Sequence, residues 1–340
     1  METLYEGETD FIAPQLARHF SEAGDKQKAA AYLLKTGDLA RLMFAVEEDI
    51  QAYEQALPFL REINELQQAA RILMSLGLLY HTIFDYKKSN EAYQEGFALW
   101  QAAGKQISDS IPPPAPHAYR VLAPLPLTLD PSCSCDTGST FFIRELFSGL
   151  LEVNEDMEVV PDIAYRWEIL DSGKKYIFHL REDVYWTDGV PVTAQDFVFK
   201  WLRSLDPTIA SPTAVGLDDI KGAEPYCRGE ITDPEAVGLQ AINDHTLIVE
   251  LEAPAGYFLN FLAFNHPVPR HKVVELGEAW AEPQNIVTNG PFQIERWQPD
   301  GQVVLARNPR YHGRFPGNLE RSEATLKADL SKIDYLELYS

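Results

Sequence analysis

Three cysteines and eight histidines are the side chains best suited to metal binding or nucleophilic chemistry in this sequence of 340 residues. Cys133-Ser134-Cys135 sets two thiols two positions apart. A zinc site takes four ligands, and nothing nearby supplies the other two. In an extended strand the two Cβ vectors point the same way, with Cα atoms near the upper distance limit for a disulfide. The pair therefore reads as two small thiols in a loop. His266 and His271 are five apart with Pro267 and Pro269 between them. That spacing suits ligand geometry on neither a strand nor a helix, so loop or cap histidines are expected. The sequence contains no GxSxG elbow, no HExxH and no glycine-rich phosphate loop. Its many carboxylates read as solvated surface. Neither an enzyme, a resident cofactor nor a metal site is expected.

Charge narrows the field further. Lys and Arg number 29 against 51 Asp and Glu, a formal net charge of −22. A general nucleic-acid or anionic-membrane binder needs the opposite balance, because phosphate is held by a basic surface. Hydrophobic residues at 45% and charged residues at 24% describe a chain that buries real cores. Three cysteines build no disulfide framework, so packing must hold the fold. The longest apolar runs, such as Ala29–Leu34, are far shorter than a bilayer requires. The opening METLYEGETD is acidic where a signal peptide is basic and then apolar. A soluble chain without an export signal is the expectation.

The elements that must position any site change character along the chain. Residues 1–107 are rich in Ala, Leu, Glu and Gln at helical spacing, with Pro14 and Pro58 their only prolines. Residues 108–117, containing Pro112-Pro113-Pro114-Ala115-Pro116, end that pattern and favour an extended spacer. The helical segment repeats itself: Gly37 to Gly77 and Tyr53 to Tyr93 are both 40 residues. Each unit reads as two amphipathic helices, with a small residue in the first and an aromatic plus Ala-Leu in the second. Leu76-Gly77-Leu78-Leu79-Tyr80 through Asp85-Tyr86 to Tyr93 resembles a tetratricopeptide repeat, whose period is 34 residues. The longer period here predicts an extended loop between helices. Pro14–Leu34 looks like a degenerate third unit. A short helical stack with a peptide-sized groove and a plain helical bundle both fit the pattern.

Beyond the spacer the pattern is α/β. Asp171-Ser172-Gly173-Lys174 is a turn between Ala164–Leu170 and Lys175–Leu180. Period-2 alternation puts Tyr176, Phe178 and Leu180 on one face, and His179 and Arg181 on the other. Asp188-Gly189 is a second turn. Thr193 followed by Asp196 predicts a capped helix running to about Ser204, with Phe197, Val198, Trp201 and Leu202 on one face. Asn243-Asp244 announces a strand over Thr246–Leu251. Asp188-Gly189 and Asn289-Gly290 both read as positive-φ turns. Trp167 and Trp186 read as core aromatics rather than ligand platforms.

Seven motifs in order carry a resemblance to a known family. They are Leu129-Asp130-Pro131; Arg144-Glu145-Leu146-Phe147-Ser148-Gly149-Leu150; Pro161-Asp162-Ile163-Ala164 with Trp167-Glu168; Tyr176–Arg181; Trp186–Val198; Asn285–Phe292; and Arg307-Asn308-Pro309-Arg310-Tyr311. This series resembles the family 5 solute-binding proteins, especially the oligopeptide-binding proteins of ABC importers. The resemblance implies an α+β multidomain chain, with N-terminal all-α helical repeats followed by a truncated type II periplasmic-binding-protein-like α/β lobe. Residues 1–107 would be tetratricopeptide-like repeats and 108–117 a linker. Residues 118–147 plus 270–340 would form an incomplete main lobe, and 148–269 an inserted α+β subdomain.

The function so implied is non-catalytic capture of extended peptides between two lobes that close about a hinge. Ligand main chain pairs with protein backbone, while side chains fall into roomy pockets. By the same resemblance the pairing segment maps onto Cys135, Asp136 and Thr137. The family's oligopeptide binders often place an aromatic after the Ala-Ser-Pro that corresponds to Ala210-Ser211-Pro212. Thr213 stands there instead, which sets this pocket apart. Asp136 fits either a ligand cation or a loop surface. Lys332–Tyr339 looks like the strand leading toward the second lobe. The expectation is therefore half a clamp, with an open sheet edge and weak or no peptide binding by this chain alone. The implied partners are an oligopeptide or other small solute, the membrane subunits of an ABC transporter and a protein partner for the repeats, but no nucleic acid. The family works outside the cytoplasm; a cytoplasmic place stays open for a chain with this opening. The alternative reading is a cytosolic helical-repeat interaction or signalling protein with a fused solute-binding-like sensor.

Overall fold

A computed structural model describes residues 12–43, 45–104, 117–154, 156–298, 301–313 and 319–327. The spacer over 108–116 and the strand expected at Lys332–Tyr339 lie outside the described residues. The chain divides into two compact units: Met1–Ser110 with Asn154–Val160, and Ile111–Val153 with Pro161–Ser340. Among the described residues no helix is long and apolar enough to cross a membrane.

The first unit is built from α1 (Ala13–Glu22), α2 (Lys26–Leu42), α3 (Val46–Glu62), α4 (Leu66–Thr82) and α5 (Tyr86–Gly104). From α2 onward a helix starts every 20 residues, at positions 26, 46, 66 and 86. Each described turn is set by one left-handed residue: Gly24 (φ 76°), Asn64 (φ 62°) and Phe84 (φ 64°). The next amide then bonds back across the helix end, as in Glu65 N–H to Leu60 O at 2.9 Å and Asp85 N–H to Tyr80 O at 2.9 Å.

The extended inter-helix loop expected from the 40-residue period is absent from the described turns. The added length lies in the helices themselves, 17 residues each in α2, α3 and α4 and 19 in α5. Pro14–Leu34 is likewise not a separate pair. Asp25 caps α2 by accepting the Lys28 N–H, and that helix runs unbroken past Leu34 to Leu42, carrying Gly37 with it. The repeated small-aromatic pair has a direct packing role. A Cβ on Gly77 would stand 2.6 Å from the Tyr93 ring, and one on Gly37 would strike Tyr53. Tyr53, Ala56, Leu60, Ala69, Leu73 and Leu76 form the core between the helices.

In the second unit a mixed sheet has the order β1-β10-β9-β8, with β1 (His117–Pro124), β8 (Phe292–Trp297), β9 (Gln302–Arg307) and β10 (Leu319–Lys327). β1 runs parallel to β10, and the other pairs are antiparallel. The short strand β2 (Leu151–Val153) comes earlier in this unit, and β3 (Val159–Pro161) begins in the first unit. A second, antiparallel sheet has the order β4-β5-β7-β6: β4 (Ala164–Leu170), β5 (Lys175–Leu180), β7 (Thr246–Glu250) and β6 (Leu239–Asn243). Tyr176, Phe178 and Leu180 are all buried, as their alternation predicts. Helices α6 (Thr137–Leu146), α7 (Ala194–Leu205), α8 (Ala223–Cys227), α9 (Phe258–Leu262) and α10 (Arg270–Leu276) complete the unit.

α7 opens on a capping box in which Thr193 and Asp196 satisfy each other's backbone. Its inward face differs from the expected one. Phe197, Val198 and Trp201 are buried as expected, but Lys200, Ser204 and Leu205 are buried with them and Leu202 is only half-buried. Trp167 and Trp186 are fully buried. Gly189 takes the expected positive φ of 92°. Gly290 does not: it is a site of close approach, where a Cβ would meet the Leu146 carbonyl carbon and the Phe147 nitrogen at 2.6 Å. Asn289 fixes that approach by accepting the Ser148 N–H at 3.1 Å and donating to the Ser148 carbonyl at 3.3 Å.

Candidate functional site

The Leu-Asp-Pro turn organises the site from below. Asp130 is buried and accepts from the Ser132 N–H at 2.8 Å and from the Trp280 indole at 3.3 Å. Arg203, from the last turn of α7, reaches the same carboxylate at 2.8 Å. The bonds from Ser132 and Trp280 satisfy the carboxylate of this buried pair, while Arg203 Nη1 has no hydrogen-bond partner among the described residues. The chain then climbs through Cys133 and Ser134 to Cys135, Asp136 and Thr137. Cys135 and Thr137 are exposed, and Asp136 is half-buried.

Asp136 is first of all a helix cap. Its carboxylate accepts the Ser139 N–H at 2.8 Å and so closes the start of α6. Burial pushes its carboxyl up, but hydrogen bonds from the Ser139 hydroxyl and backbone outweigh that and hold it below the usual range. Ser139 also accepts from the Leu127 and Thr128 amides at 3.1 and 3.0 Å, which straps the preceding strand end to the helix. Gly138 permits this, since a Cβ there would stand 2.6 Å from the Leu125 carbonyl oxygen.

Thr213 is brought to the same place from far along the chain. Its hydroxyl lies 3.4 Å from the Ser132 carbonyl, 2.9 Å from the Ser211 hydroxyl and 3.3 Å from the Ser204 hydroxyl. Ser211 also donates to the Ser132 carbonyl. The four residues mapped by resemblance therefore lie on two loops pinned to each other at Ser132, with α7 gripping both through Arg203 and Ser204. Ser132, Ser204, Ser211 and Arg203 were not singled out from sequence. The left-handed Ala210 (φ 49°) before Ser211-Pro212 marks the bend that turns this loop inward.

One turn up α7, buried Lys200 donates to Asn265 Oδ1 at 2.6 Å, which also receives the Trp201 indole at 2.6 Å. Burial is the main cause that pulls the Lys200 ammonium down to about 7, with Arg203 pushing the same way and Asp130 opposing. The two expected loop histidines differ: burial holds His266 down to about 4, and His271 in α10 meets Asp188 at 2.7 Å. Cys133, Cys135 and Cys227 are free thiols, and burial raises Cys133. Among the described residues no group of three or more His, Cys, Asp or Glu is arranged to hold a metal. A cavity of about 110 Å³ in this unit is lined by Arg144, Glu152, His266 and Tyr311 among others, and by none of the four mapped residues.

Comparison with known proteins gives a consistent result. A family model described as bacterial extracellular solute-binding proteins, family 5 middle, matches residues 158–337, more than half of the chain. The periplasmic oligopeptide-binding protein OppA of Escherichia coli is 43% identical over 179 residues, covering 49% of this chain and 31% of that protein. The probable deoxycholate-binding periplasmic protein YgiS of the same organism is 40% identical over 190 residues, covering 55% of this chain and 35% of its own length. The chain thus spans about a third of these relatives. A solved structure of Listeria monocytogenes OppA bound to peptide superposes with a TM-score of 0.61 at 27% identity, covering 65% of this chain and 44% of that one.

Proposed function

The chain belongs to the bacterial extracellular solute-binding proteins of family 5, a family of binders rather than enzymes, and we propose that its second unit takes part in capturing extended peptides for an ABC-type importer. On this reading the sheet of β1, β8, β9 and β10 with α6 belongs to the main lobe, and 148–269, apart from Asn154–Val160, is an inserted subdomain. The first unit is a tetratricopeptide-like stack. The segment Cys135, Asp136 and Thr137, exposed at Cys135 and Thr137, pairs with ligand main chain, and Thr213 forms a wall of one side-chain pocket. Backbone pairing tolerates varied side chains, which suits a general peptide receptor.

The observation that carries this reading is the pinning of the Thr213 loop to Ser132, directly below the pairing segment. This supports the reading by anchoring the ledge, the segment that the resemblance maps to the ligand. Asp136 is committed to α6 through its carboxylate, which caps the helix, and its carbonyl, which accepts from Thr140, so its part at the ledge is structural. Titration calorimetry of the chain with a pool of tri- to pentapeptides tests the reading. Thr137→Pro is the informative variant. Proline suits the first position of a helix and the extended Asp136 before it, yet it removes one N–H from the ledge. A peptide signal lost in Thr137→Pro supports the proposal, and no signal in either chain contradicts it. A chain that binds deoxycholate but no peptide would move the ligand class toward that of YgiS.

A further inference from the structure

The first unit contains a built carboxylate site. Glu158 is only 2% exposed, and its carboxyl is held by side chains from the helices of this unit. Arg71 of α4 donates through Nε to Oε2 at 2.9 Å, and Ser75, one turn on, donates to Oε1. Asn154 adds a third donor to Oε2 through Nδ2 at 2.9 Å, and Arg41 at the end of α2 stands 3.8 Å from Oε1. Asp156 uses the same two arginines. Its carboxylate pairs with Arg71, and its carbonyl accepts from Arg41 Nη1 at 3.2 Å.

The bound segment is shaped in advance. Asn154 Oδ1 accepts the N–H groups of Asp156 and Glu158 at 3.0 and 2.9 Å. The Met157 N–H bonds the Asn154 carbonyl at 3.0 Å, with Met157 itself at φ 61° and its side chain in solvent. Both acidic side chains thereby emerge from one tight turn toward the two arginines. Two guanidiniums and a hydroxyl converging from alternate helices, α2 and α4, constitute a receptor for charge and geometry together.

We propose that the helical unit is a receptor for acidic turns of the form Asn-x-Asp-x-Glu, and that its resident ligand is Asn154–Glu158 of the same chain. A free peptide carrying the same turn competes for the Arg41–Arg71–Ser75 cradle. The recognition resides in the two carboxylates and the asparagine that orients them, since the intervening Met157 points away.

Digestion of the full chain with a glutamate-specific protease reads occupancy of the cradle, because cleavage after Glu158 requires its release. Wild type is expected to resist cleavage there, and Arg71→Met to be cut at least tenfold faster. Arg61→Met, which removes only the exposed pair with Glu95, should leave the rate unchanged. A second arm uses unaltered protein and so does not depend on a variant folding. A synthetic peptide with the sequence of residues 151–161, at millimolar excess, should accelerate cleavage of the chain at Glu158 severalfold. The same peptide with glutamine in place of the Glu158 residue should not. Rapid cleavage of wild type, or equal effects of the two peptides, would overturn the proposal.

Discussion

Arg203 and Asp130 meet at 2.8 Å in the interior of the second unit, joining the last turn of α7 to the Leu-Asp-Pro turn 73 positions earlier. Ser132 and Trp280 complete the carboxylate's bonds, so the pair is a junction of three chain segments. Removing one partner strands the other charge away from water. Asp130→Ala should therefore cost about 3–5 kcal/mol, read as a lower denaturant midpoint. Asp130→Asn should fall between it and wild type, because the amide keeps the acceptor for the Ser132 N–H.

The helical unit should be most sensitive at its repeated glycines. A methyl at Gly77 would lie 2.6 Å from a Tyr93 ring carbon, and the helices cannot part without opening the core between them. Gly77→Ala should destabilise by about 1–3 kcal/mol, although alanine is the better helix former. Thermal melts followed by far-UV circular dichroism would show the loss. A melt unchanged or raised would mean that the two helices do not approach as described.

Asp49 should give the same unit an unusual pH dependence. It is buried and accepts no hydrogen bond among the described residues, with Arg41 3.7 Å away. Burial raises its carboxyl to about 7, with Asp38 and Glu158 adding to the rise and Arg41 opposing it. Between the ordinary carboxylate range and about pH 7 the native state holds a proton that the unfolded state has lost. Stability from this group is thus fully present at low pH and falls as pH rises through 7. Asp49→Asn should remove that decline and stabilise the protein at pH 8 by on the order of 2 kcal/mol. Denaturant melts at pH 5 and pH 8 would measure both.

Lys200 should act in the opposite sense. Its ammonium is pulled down to about 7 by burial, so between about pH 7 and 10 the unfolded chain binds a proton that the native one does not. Its contribution improves as pH rises through that window and is worst below it. Lys200→Met should stabilise the second unit at pH 6 by on the order of 3 kcal/mol, with the gain shrinking toward pH 10. A gain that grows with pH would contradict the buried placement.

What the sequence revealed was what is decided locally. The Thr193–Asp196 box, the β5 alternation and the Asp188-Gly189 turn each depend on residues a few positions apart, and each formed where expected. The 40-residue period was visible too, but its cause was misjudged. Gly24, Asn64 and Phe84 make tight turns, and a left-handed Phe84 has no compositional signature. The proposed site was legible only through its motifs. The bond from Thr213 to Ser132 spans 81 positions, and nothing in either segment announces the other. Asn154–Val160 belonging with the helices was invisible for the same reason: an acidic turn looks like any solvated loop until two arginines from separate helices close on it.

The claim on which the account rests is that the ledge at Cys135–Thr137, with Thr213 beside it, receives peptide main chain. Amide chemical-shift mapping of the full chain during titration with tri- to pentapeptides tests it most directly, since it detects weak and tight binding alike. Saturable shifts centred on Cys135, Asp136, Thr137 and Thr213 are predicted. Saturable shifts confined to other residues, or none at millimolar peptide, would contradict it.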